Sequence, residues 1–357
     1  MNVQFRRCRR LLSITFAFAA LSIGFSPNKT LLADTTTTAV MSGLDSPRGL
    51  VFGPEGGLYV VEAGRGGSGP CPVLRGQSMC YGATGALTRL RRGDQERVAV
   101  GFPSYISPSG EVTGAHDVSF LGVGGAYVTI GFGGGPALRA LFGPDGAVFG
   151  TLVHVAASGH WWPIADVSSH EGINNPAGGP IDSNPYGLVA RPGARLITDA
   201  GANALLSVAA DGAITTLAVF PSRPQRATDA VPTAMVSGPD GAYYVSELTG
   251  APFTAGAARV YRVVPGEAPE VFLTGFKTAI DLDFGPDGSL YVLEFATGPL
   301  FFSGPGDVIR VAPDGTRTVV AAGLTNPTSI AVGPDGALYV TNRGLTIGQG
   351  EVLRIEP

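Results

Sequence analysis

One phrase recurs along the chain and narrows what it can fold into. GPDGAYYVSE begins at residue 238, GPDGSLYVLE at 285 and GPDGALYVTN at 333, each a tight turn followed by a short run rich in Val, Leu and Tyr. Looser copies are GPEGGLYVVE from 53, GVGGAYVTIG from 122 and RPGARLITDA from 191. Pro presets φ for the first turn position, Asp bonds the backbone two residues on, and Gly takes the φ > 0 position that lets the chain double back. Each copy is preceded by another apolar run (RGLVF, HDVSF, YGLVA, TAMVS, IDLDF, TSIAV) and followed by a third (ALTRL, TLVHV, ALLSV, RVYRV, DVIRV, EVLRI). In five units a fourth run follows a second tight turn, as in DGAITTLAVF and DGTRTVVAAGL. Four antiparallel strands repeating at about 47 residues are the pattern of a propeller blade, so the expected fold is all-β, a six-bladed β-propeller of four-stranded antiparallel blades.

The sixth unit ends at EVLRIEP and lacks an outer strand. TTTTAVMSGLDSPRGL, from Thr35, parallels TVVAAGLTNPTSI, from Thr318, so an N-terminal strand is expected to close the last blade and leave no open edge. FGPDGAVFG at 142 carries the same turn but has no Val- or Ile-rich run before it, and its VFGTLVHV is needed as the third strand of unit two. Six blades are therefore expected rather than seven.

The first 33 residues have a different character. Four arginines in MNVQFRRCRR precede LLSITFAFAALSIGF, an apolar stretch of signal-peptide length, and then LLAD. The expected division is a signal peptide over 1–33 and the propeller over 34–357. The apolar run is shorter than the roughly 20 residues a spanning helix needs, so no stable membrane span is expected after cleavage; a retained anchor is the alternative. The pair Arg9 and Arg10 resembles a twin-arginine signal. The leader holds Arg6, Arg7, Arg9, Arg10 and Lys29 and no acid, so 24 basic residues less these five leave 19 against 28 acidic, a net −9. That balance argues against a nucleic-acid partner. Cys71 and Cys80 flank a short loop, CPVLRGQSMC, and in an oxidising compartment would form a disulfide; a metal site would want more Cys or His nearby. A secreted or periplasmic location is expected.

In such a blade the turns between strands one and two, and three and four, share one face, and here they are short throughout. Nearly all the loop length lies on the other face, in residues 64–85, 103–115, 133–146 and 168–185. Long loops on one side of a rigid scaffold are where function usually resides. Second strands end on that side at Glu62, Asp199, Glu247, Glu294 and Asn342, with Thr129 the counterpart in unit two. The innermost strands begin there with Arg48, His116, Asp117, Asn184, Asp281 and Asn326. Two readings fit the carboxylates: a ring of oxygen ligands around the channel mouth that holds calcium or a polar ligand, or acceptors of backbone N–H groups and partners of arginines where blades meet. His116, in GAHDVSF, is the candidate for acid/base chemistry, aided by Asp117, against the alternative of a buried, satisfied imidazole. No GxSxG elbow, HExxH helix, Walker loop or dinucleotide-binding GxGxxG unit is present.

SPRGLVFGPEGGLYVVEAGRGGSGPC, CYGATGALTRL, GAHDVSF, YVTIGFGG, DSNPYGL, TDAGAN and GAARVYRVVPG together resemble the ScyD/ScyE family, named for the cyanobacterial gene cluster that makes the pigment scytonemin. The resemblance runs from about Gly43 to Ile355. It implies an exported propeller related to NHL-type repeats, with a link to pigment biosynthesis, and carries no catalytic residue with it. A broader likeness is to gluconolactonase-like propeller hydrolases, which hold calcium at the channel mouth through Glu, Asn and Asp. Glu62, Asn184, Asp199 and Asp281 are residues of those types. The leading expectation is a loop-rich face that binds a small organic molecule, with Arg48, Glu62, Asn184, Asp199, Glu247, Asp281, Glu294 and Asn342 as ligand-binding candidates. The alternatives are a non-catalytic scaffold for a protein or glycan, and a calcium-dependent hydrolase.

Overall fold

The computed structural model describes residues 35–222, 228–299 and 301–356, so the expected signal peptide lies outside the described residues. Six antiparallel sheets form the blades of a six-bladed β-propeller. The innermost strands are Pro47–Phe52, Ala115–Phe120, Pro185–Arg191, Pro232–Ser237, Ala279–Phe284 and Ser329–Val332. The second strands are Leu58–Glu62, Ala126–Ile130, Ala194–Asp199, Tyr243–Glu247, Leu290–Glu294 and Leu338–Asn342. Blade 6 is completed by Thr36–Leu44, which pairs antiparallel with Gly350–Glu356 from Thr36 opposite Glu356 to Leu44 opposite Gly350. The first and last described strands therefore meet in one sheet, as the sequence parallel predicts. Among the described residues no helix is long and apolar enough to cross a membrane.

The recurring turn does what its residues dictate. Gly56, Gly241, Gly288 and Gly336 sit at φ between 78° and 81°, where a side chain would be strained. Asp240, Asp287 and Asp335 each accept the N–H two residues on, at 3.0–3.2 Å. Their second oxygens pair with Arg262, Arg310 and Arg354 of the third strands. Second strands read as almost unbroken apolar runs because both of their faces are covered: in blade 1, Tyr59 packs toward blade 2 while Val60 packs toward blade 6. The core is thus a set of apolar layers between blades. At FGPDG the chain forms two 3-10 turns, Pro136–Phe142 and Pro144–Val148, instead of a hairpin. Phe142 and Phe149 are buried under the loops of blade 2, with ring centroids 5.2 Å apart.

Neighbouring innermost strands belong to separate sheets and share no ladder, which would leave their N–H groups unpaired. Side chains of the adjacent blade accept them. Asp117 accepts from Leu188 N–H at 2.7 Å, Ser119 from Ala190, Asp281 from Ile330, Asp283 from Val332 and Ser329 from Leu50. Gly49 is required here, because a Cβ at that position would stand 2.2 Å from Asp117 Oδ1 and 2.8 Å from its Cα.

On the loop-rich face the disulfide is as expected, while a helix and a small hairpin were not foreseen. The 168–185 loop begins as a helix, Val167–Asn174, whose N-cap Asp166 accepts the Ser169 N–H. The Cys71–Cys80 loop closes as a disulfide and contains a small hairpin, Val73–Leu74 with Gln77–Ser78. Arg75 in that hairpin pairs with Asp182 at the entry to blade 3, so the long loops of blades 1 to 3 brace one another.

Candidate functional site

The first-strand register stacks side chains in layers around the axis. Arg48, His116, Tyr186, Thr233, Ile280 and Thr328 occupy equivalent positions, followed one residue on by Gly49, Asp117, Gly187, Ala234, Asp281 and Ser329. Above the first layer, at the loop-rich end, lies an open cavity of about 400 Å³. Arg48, His116, Asn184, Tyr186 and Thr328 reach it from the inner strands and their entries, and Ser109, Glu111 and Thr113 from the last loop of blade 1. Leu248, Ile280, Phe295, Phe302 and Leu345 form the opposite wall. Below it, the second layer encloses only about 10 Å³.

Each polar group is held from behind. Arg48 is 6% exposed, and its guanidinium donates to four backbone carbonyls: Ser46, Pro47 at 3.1 Å, Gly344, and Val112 at 2.8 Å. His116 Nδ1 stands 3.0 Å from the Pro185 carbonyl, an acceptor, which assigns the proton to Nδ1 and leaves Nε2 with a lone pair. Burial, reinforced by the Arg48 charge, pushes its pKa down to about 3, so the ring is neutral at ordinary pH. Its ring lies 4.6 Å from that of Tyr186, whose phenol is pushed up to about 12 by burial. Gly131 permits this packing, since a Cβ there would fall 2.2 Å from His116 Cε1 and 2.7 Å from Asn184 Oδ1. Asn184 Oδ1 accepts the Phe132 N–H at 3.0 Å, which directs its amide nitrogen away from that bond.

The carboxylates are placed differently from the side chains just described. Glu62, Asp199, Glu294 and Asn342 share one role: each accepts a backbone N–H from the segment entering its own blade, from Asp45 at 2.6 Å, Asn184 at 2.6 Å, Lys277 at 2.7 Å and Thr325 at 2.7 Å. Glu62 also accepts from Thr88 and pairs with Arg97 at 2.7 Å. Glu247 is buried at the corresponding strand end in blade 4. None of these five lines the 400 Å³ cavity. The recurrence of Glu62, Asp199, Glu294 and Asn342 at strand ends thus follows from the need for an acceptor where the chain re-enters the ring. Glu62, Asn184, Asp199 and Asp281, the residues matched to a calcium site, do not gather at one point, and among the described residues no group of three or more His, Cys, Asp or Glu side chains is arranged to hold a metal ion. Arg48, His116 and Asn184 are the residues from the sequence that meet in the cavity, while Asp117 and Asp281 lie in the tight layer beneath.

Asp117 and Asp281 occupy diametrically opposed blades at the same register. Asp117 accepts from Val118 and Leu188 N–H, and Asp281 from Leu282 and Ile330 N–H and the Ser329 hydroxyl. Burial nevertheless raises both, Asp117 with a further contribution from Asp281, and brings Asp281 to about 7 and Asp283 to about 6. Carboxyls raised in the folded state bind protons that the unfolded chain has released, so their stabilising contribution is whole below the ordinary carboxylate range near pH 4 and is lost as pH rises through about 6 to 7. We expect the melting temperature to fall between pH 5 and pH 8.5, and Asp281→Asn to remove on the order of 2–4 kcal/mol of that change. Thermal melts across this range are the check; an unaltered slope in the variant would refute the assignment.

Tyr186, Ile280 and Thr328 were not singled out from the sequence, though alignment on the first strands places them level with Arg48 and His116. Glu111, Phe302 and Leu345 come from loops of unequal length and had no such signal.

No family model and no curated protein matches the chain. Solved propellers do superpose on it. A streptogramin B lyase gives a TM-score of 0.53 at 13% identity, covering 90% of this chain and 98% of the lyase. A gluconolactonase-like protein gives 0.53 at 13% identity, covering 91% and 93%. A luciferin-regenerating enzyme gives 0.54 at 12% identity, covering 91% and 96%. At these identities the likeness is one of fold, the β-propeller, and carries no residue roles.

Proposed function

We propose that this protein is an exported, ScyD/ScyE-like propeller that binds a small organic molecule in the cavity at the channel mouth, with a place in scytonemin-type pigment biosynthesis. The observation that supports the binding reading is the cavity itself. Side chains from the inner strands of separate blades converge on a space within the usual range for small-molecule sites, with apolar walls and a few fixed polar groups. The Cys71–Cys80 disulfide fits an oxidising compartment, in keeping with export. Buried and neutral, His116 offers Nε2 as an acceptor for a ligand hydroxyl or amide, and Asn184 offers a donor. The strand-end acids, occupied with backbone N–H groups, favour binding over calcium-dependent hydrolysis.

A metabolite library screened by thermal shift, followed by calorimetry, tests this reading. At least one saturable ligand is expected, and His116→Ala should weaken it by roughly tenfold through loss of a buried hydrogen bond. A library without a saturable ligand, or a ligand indifferent to His116→Ala and to a bulky substitution at Leu248, would move the function to a protein or glycan on the loops.

A further inference from the structure

The cavity has two unlike halves. Blades 1 to 3 supply the polar side, Arg48, Glu111, His116 and Asn184, whereas blades 4 to 6 supply mainly apolar side chains, Leu248, Ile280, Phe295, Phe302 and Leu345, beside Thr328. The apolar side continues outward: Phe302 is 40% exposed and stacks on Phe253 with centroids 4.0 Å apart, and Leu345 is 38% exposed. The Arg48 guanidinium stands between the halves in charge terms. It is buried, its hydrogen bonds all go to carbonyl oxygens, and among the described residues no carboxylate lies within ion-pairing distance of it. Glu111, whose charge favours the Arg48 cation, is exposed at the rim. A buried cation compensated only by dipoles is costly, and a desolvated anion that meets it recovers part of that cost. Arg48 also keeps N–H capacity, since Nη2 donates one of its two hydrogens to Val112 and, among the described residues, Nε meets no acceptor.

Resting on the binding reading above, we propose that the ligand is an organic acid with an aromatic or bulky apolar body, its carboxylate meeting Arg48 and its body lying against Phe295, Phe302 and Ile280. His116, neutral, does not compete for the anion's charge. Asp117 and Asp281 sit in the layer below, where their oxygens face the backbone N–H groups of neighbouring blades, so they do not neutralise Arg48 by contact.

The test uses the purified protein with 2-naphthoate and 4-phenylbutyrate, each beside its primary amide, measured by calorimetry or fluorescence competition. The acids should bind at least roughly tenfold more tightly than the amides, as expected for a hydrogen bond to a charged group, and Arg48→Met should bring acid and amide together while Arg48→Lys keeps part of the preference. Amides that bind as well as acids, or a preference that survives in Arg48→Met, would overturn this proposal while leaving the cavity a binding site for neutral molecules. Failure of both acids and amides, with a library ligand still weakened by His116→Ala, overturns the acid class alone. Failure of every compound overturns the binding reading as well. Should Arg48→Met not fold, the acid-to-amide ratio of the unaltered protein decides.

Discussion

Deletion of residues 34–43 is expected to lower the melting temperature of the whole protein in one cooperative step. The segment supplies the outer strand of blade 6, from Thr36 opposite Glu356 to Met41 opposite Val352, and leaves only the Leu44 pairing behind. Met41 is 2% exposed and packs with Leu50, Val60 and Val352, so its loss opens the layer between blades 6 and 1. Burying one such side chain is worth about 1.5–3 kcal/mol, and the unpaired edge of Gly350–Glu356 adds the loss of its ladder. The total should exceed about 5 kcal/mol, which for a chain of this length is a fall of roughly 7 °C or more. Differential scanning calorimetry of residues 34–357 and of the truncation is the measurement. A single transition at an unchanged temperature would show that the ring does not depend on this closure, and a second low-temperature transition confined to blade 6 would show that its blades unfold independently.

Asp199→Ala should be the most damaging single substitution among the strand-end acids. Its side chain is inaccessible to solvent, and Oδ1 alone accepts the N–H groups of Asn184, Gly201 and Ala202, while Oδ2 accepts the Ser183 hydroxyl. Alanine leaves those donors buried without an acceptor, at about 1–3 kcal/mol each before relaxation, so a loss on the order of 3–5 kcal/mol and roughly 4–7 °C is expected. Asparagine keeps an oxygen where the three N–H groups converge, and Asp199→Asn should recover most of the stability. The ala-to-asn difference separates an acceptor from a cation ligand, because a ligand's loss would appear in both variants and would depend on added calcium. Equal melting temperatures for Asp199→Ala and the parent would remove the acceptor role.

Much of the architecture was legible because it is local. Pro-Asp-Gly turns, alternating strands and a fixed spacing are properties of short segments, and the closing strand could be found by comparing TTTTAVMSGL with TVVAAGLTNP. Arg48 and His116 could be placed at the cavity because strand register carries a side chain to a predictable level. The strand-end acids show the limit. Glu62 at the end of LYVVE looks the same whether it points to the axis or back to Asp45 N–H, and what decides is the path of the incoming chain, a tertiary property. The same holds for Phe302 and Leu345, which reach the cavity through loops without a common length. Helix Val167–Asn174 escaped notice because SSHEGIN has little apolar periodicity, and only the capping Asp166 marks its start.

The tight layer formed by Gly49, Asp117, Gly187, Ala234, Asp281 and Ser329 leaves room for a single water at most. It makes the vestibule a cul-de-sac. A guest bound as proposed would enter and depart by the same doorway, head first toward Arg48, so a second molecule would have to wait for the first to leave. A polymer could present one terminus here but could not thread through the ring.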